Sequence, residues 1–275
     1  MVRTKKPDTS ATIDGLTVVS IAVVAYILQN VLHEAVGHGG GCLLVGGEPS
    51  ALSTAYFDWD SQGVSVDARR WVAAAGTLVN LLVGLFCWWC FRRSRSASGA
   101  TRYFLWLSMA TNLLTATGYP LFSGALSVGD WVTVVEGLKP VWVWRGVLIC
   151  TGLLFYWFAA VSALRELATV IGRDKLERLR VALKLTVLPY LAGSVIATIG
   201  AVLNPISPIL IVTSAAAAFG GTSALAWMAQ RLKDEKFPPP DAVSEIAIPR
   251  NWGWLGAALV LALLHIFVLG PSVQF

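Results

Sequence analysis

Residues 15–31 read Gly-Leu-Thr-Val-Val-Ser-Ile-Ala-Val-Val-Ala-Tyr-Ile-Leu-Gln-Asn-Val, and the chain continues Leu32-His33-Glu34-Ala35-Val36-Gly37-His38-Gly39-Gly40-Gly41. The first part is an apolar run without an ionised side chain. About 20 such residues cross a bilayer as a helix, so a membrane span is predicted over 15–38. The run is too long for the apolar region of a cleavable signal peptide, about 7–15 residues. Its far end then departs from a plain span. His33, Glu34 and His38 place three ionisable groups within six residues. Such groups are costly at membrane depth and mark functional sites.

Working outward, further apolar runs occur at about 71–91, 103–122, 141–163, 185–203, 208–229 and 253–270. The fold class expected is an all-α polytopic membrane protein of about seven transmembrane helices, with a short membrane-associated β-hairpin after the first. Composition agrees. Of 275 residues, 56% are hydrophobic and 13% charged, against about 25% charged in soluble domains. The mean hydropathy is +0.66 and the isoelectric point about 9.2. The basic excess sits in short loops, so topology accounts for it and no nucleic-acid partner is expected. With the N-terminus in the cytoplasm, 17 of the 21 lysines and arginines fall on the cytoplasmic side. Arg69, Arg70, Lys139 and Arg145 fall on the other. That bias predicts a cytoplasmic N-terminus, an odd span count and a non-cytoplasmic C-terminus. With no organelle address, the expected location is a prokaryotic plasma membrane. The expected partners are the lipid bilayer and membrane-protein substrate or partner helices.

Two segments between spans carry their own signals. Residues 48–70 contain two β-prone runs around Asp60-Ser61-Gln62-Gly63, which is turn chemistry; a hairpin with its turn there is predicted. Residues 164–184 read as a basic amphipathic helix at the cytoplasmic interface. Residues 230–251 hold Pro238-Pro239-Pro240 and read as a stiff cytoplasmic loop. The chain divides into a metal-site core over 1–135 and additional transmembrane helices over 136–275, with loops at 164–184 and 230–251. Cys42, Cys87, Cys90 and Cys150 read as packed or lipid-facing thiols. Cys87 and Cys90 lack the second pair that a zinc ribbon needs.

A metal needs its ligands on one helix face. At about 100° per residue, His33 and His38 are about 140° out of register in an α-helix, while Glu34 and His38 are nearly aligned. A π-bulge would absorb one residue and bring the two histidines together, and Gly37 with Gly39, Gly40 and Gly41 eases such unwinding. The alternative is a Glu34/His38 metal pair with His33 behind it. A third ligand is available in Asp130, which follows the third span on the same side. Its competing role is a helix N-cap ahead of Trp131.

These residues resemble the site-2 protease family of intramembrane zinc metalloproteases, the M50 peptidases. His33-Glu34-Ala35-Val36-Gly37-His38 looks like the family's His-Glu-x-Gly-His helix with one residue more. Ala75-Gly76-Thr77-Leu78-Val79-Asn80 is similar to its Gly-x-x-x-Asn stretch. The region from Asn112 to Asp130 stands where the family's aspartate ligand lies, with Gly129-Asp130-Trp131 in place of Leu-Asp-Gly. The resemblance covers roughly residues 15–135. It implies a Zn2+ cofactor held by His33, His38 and Asp130, Glu34 as catalytic base, Asn80 as a substrate-binding or site-orienting residue, and hydrolysis of peptide bonds in membrane-associated substrates. It also implies that the hairpin near 48–70 offers an edge strand to extended substrate. The alternative is a catalytically inactive scaffold or metal-binding protein of the same build.

Two other chemistries fit less well. A di-iron hydroxylase of membranes uses about eight histidines, and this chain has three. A serine protease would have to pair Ser123 with His265, and the Gly-x-Ser-Gly motif is lacking.

Overall fold

The computed structural model of the chain describes residues 12–172, 174–204, 208–233 and 245–275. The predicted Pro238–Pro240 loop and the basic residues Arg3, Lys5 and Lys6 lie outside these. The first helix, α1 (Gly15–Val31), passes without interruption into a π-helical segment (Leu32–Gly39) and then α2 (Gly40–Leu44). There follow β1 (Glu48–Leu52), β2 (Phe57–Asp60), α3 (Val66–Arg93), α4 (Gly99–Leu126), α5 (Asp130–Val134), α6 (Val141–Ala168), α7 (Lys175–Val202), α8 (Pro208–Gly221), α9 (Ala224–Lys233) and α10 (Trp252–Leu264). A second π segment (His265–Leu269) and β3 (Val273–Gln274) end the described chain.

Among the described residues, six helical stretches are long and apolar enough to cross a membrane: Gly15–Leu44, Val66–Arg93, Val141–Ala168, Glu177–Val202, Ile211–Leu232 and Trp252–Leu269. The chain is therefore a polytopic, mainly helical membrane protein. The helix expected at 103–122 is α4, with 28 residues but a more polar face. Its position explains this. It packs on α1, α3, α6 and α8, and Trp106, Leu107, Met109, Ala110, Thr111 and Leu114 are fully buried. A helix surrounded by protein can carry Asn112 and Thr111 where a lipid-facing helix would not. The outer helices instead expose Phe155, Trp157 and Phe158 on α6, Leu259 and Val260 on α10 and Phe267 on the second π segment, the surface a bilayer requires.

The main core cluster draws on α1, α3, α4, α6, α7 and α9, and a second, small one joins Tyr26 and Ile27 of α1 to Ile196 of α7. At the end away from the histidines, Glu166 of α6 accepts hydrogen bonds from Trp88 Nε1 at 2.7 Å and Arg92 Nε at 2.7 Å. This ties α6 to α3. The cysteines are free thiols; Cys42 and Cys87 are buried and Cys150 is exposed.

Two expectations are corrected. The hairpin turns at 53–56, before the predicted Asp60–Gly63. Ser53 Oγ accepts from the N–H groups of Ala55 and Tyr56 at 3.0 and 3.2 Å, a hydroxyl-closed turn that competes with the later Gly-containing one. The Asp60–Gly63 turn instead leads into α3, where Ser65 Oγ caps Ala68 N–H at 3.2 Å. The sheet order is β2-β1-β3, so β1 is interior and β2 lies at an edge. Secondly, 164–184 forms no separate interfacial helix. Its first residues finish α6 and its last ones open α7. Charge density rises there because both helices extend beyond their apolar stretches.

The starts of α1 and α10 are stitched together. Asp14 caps α1 by accepting from Thr17 N–H at 2.9 Å and also accepts from Arg250 Nε at 2.9 Å. The Arg250 hydrogen bond and then the Thr17 N–H hold the Asp14 carboxyl well below the usual carboxylate range. A depressed folded value stabilises the protein above the unfolded value of about 3.9, and that contribution is lost as pH falls below it. Asp14→Asn is expected to lower the thermal unfolding midpoint in detergent at pH 7. The gap to wild type should narrow as pH falls below about 4.

Candidate metal centre

In a π-helix the backbone bonds from i to i+5, so residues five apart come to one face. The segment Leu32–Gly39 does this to His33 and His38. Their Nε2 atoms are 3.2 Å apart, with the rings edge-on at 4.8 Å between centroids. Asp130 Oδ2 completes the group, 3.3 Å from His33 Nε2 and 3.2 Å from His38 Nε2. Three donor atoms thus form a near-equilateral triangle. Hydrogen bonds satisfy at most two of its sides, because each imidazole nitrogen offers one proton and the ionised carboxylate none. A cation satisfies all three donors. Ligand atoms about 2.0–2.1 Å from a tetrahedral zinc ion lie about 3.3–3.4 Å from one another, so the donor set and its spacing fit zinc. The histidines are 5% and 7% exposed.

The outer partners of the histidines support that role. His38 Nδ1 meets Val72 O at 2.8 Å. Donating there leaves the Nε2 lone pair for the ion. His33 Nδ1 lies 3.2 Å from the Asn80 amide. Asn80 is fully buried, and its Oδ1 has no partner among the described residues. With the amide turned so that this oxygen faces His33, Asn80 would accept the Nδ1 proton and leave the His33 Nε2 lone pair for the ion. Asn80 therefore stands behind His33 and is absent from the cavity walls, which favours the orienting role over direct substrate contact.

Asp130 is the first residue of α5, and Gly129 occupies the cap position, with φ +85° and no side-chain cap bond. The carboxylate is turned to the histidines instead. Trp131 Nε1 donates to Thr77 Oγ1 at 3.0 Å and pins α5 to α3. Burial pushes the Asp130 carboxyl up, but the neighbouring His38 and His33 outweigh it and hold it well below the usual range. The ionised carboxylate is the form in which it would hold a cation.

Two cavities meet at this group. One, of about 400 Å³, is lined by Glu34, His38, Asp130, Arg69 and the hairpin residues Tyr56, Phe57 and Trp59. The other, of about 320 Å³, runs between α1, α4, α7 and α8 and shares Glu34, Tyr119 and Asp130 with the first. Glu34 is 8% exposed and faces both.

The sequence brought His33, His38, Glu34 and Asp130 forward, and the structure brings them together. It did not bring forward Tyr119, whose ring stands 5.5 Å from the His33 ring. A tyrosine just before Pro120, at the end of a span that leads to Asp130, is the signal that was there to be used. Nor did it single out the Val72 carbonyl, which no side chain announces. Ser123 Oγ and both His265 nitrogens have no hydrogen-bond partner among the described residues, so the serine–histidine pair is not formed. In comparisons with known proteins, no family model, no curated protein and no solved structure matches the chain.

Space for the site depends on glycine. A Cβ on Gly76 would stand 2.7 Å from both His33 Cε1 and His38 Nε2. Gly76→Ala is therefore expected to cut the affinity of this group for a divalent metal ion at least tenfold, measured by competition with a fluorescent chelator. Asn80→Leu, which removes the acceptor for His33, should lower it about 10–100-fold.

Proposed function

We propose that the chain is an integral-membrane zinc metallopeptidase of the site-2 protease type, acting on peptide bonds of membrane-associated substrates. The observation that carries this reading is the convergence of His33, His38 and Asp130 within hydrogen-bond distance of one another, with Glu34 on the wall beside them. The basic-residue bias supports a cytoplasmic N-terminus and a site near the opposite face.

Zinc held there would polarise the attacked carbonyl and lower the pKa of water. Glu34 accepts the proton of the attacking water and passes it to the leaving amine. Tyr119, on the wall beside Asp130, donates a hydrogen bond to the carbonyl oxygen as negative charge develops. The β2 edge pairs with the substrate backbone and keeps it extended, because the amide of an intact helix is shielded. Low exposure of the ligands limits competing water around the reacting atoms.

The test is zinc content of detergent-purified protein by elemental analysis. Near-stoichiometric zinc is expected in wild type and a loss of more than tenfold in both His38→Ala and Asp130→Ala. Glu34→Gln should keep its zinc while cleavage of a reconstituted membrane peptide falls about a thousandfold. Zinc-free wild-type protein would overturn the reading. Zinc with activity indifferent to Glu34→Gln would leave a metal-stabilised scaffold.

A further inference from the structure

Arg69 is, among the described residues, the one lysine or arginine on the wall of the cavity under the hairpin. It is the fourth residue of α3, in the first turn, where the helix dipole disfavours a cation. Its neighbour Arg70 has a structural reason to be there. Arg70 donates to Asp67 Oδ1 at 3.0 Å and to Glu136 O at 2.6 Å, which ties α3 to the turn after α5. Arg69 has no comparable tie. Its guanidinium carries five N–H donors, and its Nε is buried without a partner among the described residues. The carboxylate beside it, Glu136 Oε2, is 3.9 Å from Nη2, beyond hydrogen-bond reach. The Glu136 side chain is 54% exposed, so water screens this pair and it holds Arg69 weakly.

Arg69 also belongs to the face of α3 that frames the metal group. Positions 69, 72, 76 and 80 are three or four residues apart and stack on one side of the helix. Val72 O holds His38, and Arg69 lies three residues before it, about 4.5 Å further along the axis. The cavity joins the two places, since Arg69, Val72, His38 and Asp130 all line it. Extended chain advances about 3.3 Å per residue, with alternate side chains on one face. A strand laid on the β2 edge with one amide at the metal centre thus carries a side chain past Arg69 within one to three residues. Of the carboxylates on the same wall, Glu34 and Asp130 stand at the metal centre, which leaves only the half-exposed Glu136 opposite Arg69.

We propose that Arg69 is a specificity-determining residue, which selects substrates with an acidic side chain one to three residues from the attacked bond. The planar guanidinium gives that carboxylate two parallel N–H bonds, and the looser Glu136 swings out to water. This rests on the peptidase reading and narrows its substrate class to polypeptides with an aspartate or glutamate in the segment that lies under the hairpin. A lysine in place of Arg69 would keep the charge and lose the two-pronged fit.

The experiment reads binding apart from cleavage. The full chain carries Glu34→Gln, so that nothing is cut, and is held in an uncharged detergent. The probe is a fluorescent leucine-rich peptide with an extended polar flank, acetylated and amidated so that no terminal charge takes part. One Asp is moved through four successive positions of the flank, with Asn at the same positions as reference, and Kd is read by anisotropy. At the best position Asp should bind at least fivefold more tightly than Asn. Moving it by one residue should remove most of the difference, because a strand turns its next side chain to the other face. Arg69→Gln should bring the Asp-to-Asn ratio to about one, Arg69→Lys should keep part of it, and Glu136→Gln, which removes the competing carboxylate, should raise it about twofold. Equal binding of Asp and Asn at all four positions would overturn the proposal. So would a preference that survives Arg69→Gln, or a Lys peptide that binds more tightly than the Asp one. Failure of the peptidase reading is distinct: the Asp preference would persist while the protein with native Glu34 left the Asp peptide uncut.

Discussion

The backbones of the π segment and α3 meet at Gly37 and Gly76, where a Cβ on Gly37 would overlap the other glycine's backbone. The crossing continues at Gly41, where a Cβ would stand 2.9 Å from the Ala75 Cβ. With the axes this close, α3 serves as the frame of the site. Val72 O receives His38, Asn80 meets His33, and Thr77 anchors the tryptophan next to Asp130. Positions 72, 76 and 80 recur every four residues and so share a helix face. A single face of α3 thus supplies an acceptor, a gap and an orienting amide, and the spacing of the three donor atoms follows from it.

The metal group was legible because membrane depth makes polar residues conspicuous. Two histidines and a glutamate in an apolar helix have few structural reasons to exist there. The extra residue between His33 and His38 also carried information: with glycine at hand, a π turn reconciles five-residue spacing with one face. The hairpin was legible as an element but not in register. The sequence offers two turns within ten residues, and the choice falls to Ser53, whose hydroxyl closes the earlier one. The basic stretch at 164–184 misled because charge marks where a helix leaves the apolar layer as readily as where a new helix begins. The role of Asn80 needed coordinates, since spacing places it on the face of Gly76 without saying which side of His33 it occupies.

The late part of the chain proves relevant to the site. After the second π segment, Leu269 O accepts from Thr54 N–H at 3.3 Å, Tyr56 Oη donates to Ser272 Oγ at 3.1 Å, and Phe275 N–H reaches Ser50 O at 3.0 Å. With β3 paired to Ala51 and Leu52 of β1, the far end of the chain holds the hairpin over a centre built from residues 33 to 130. Two stretches of the sequence distant by more than 200 positions are thereby joined in one small sheet, with β2 at the edge opposite β3.

The burial of α4 bears on how such a protein reaches the membrane in the first place. During synthesis, segments are sorted by how well each partitions into lipid. A helix bearing Ser108, Thr111, Asn112 and Pro120 partitions less readily than its neighbours. Its polar groups are sheltered only after α3 and α6 lie alongside. Stable integration of α4, the helix that carries Tyr119 and leads to Asp130, is therefore coupled to the packing of the helices around it.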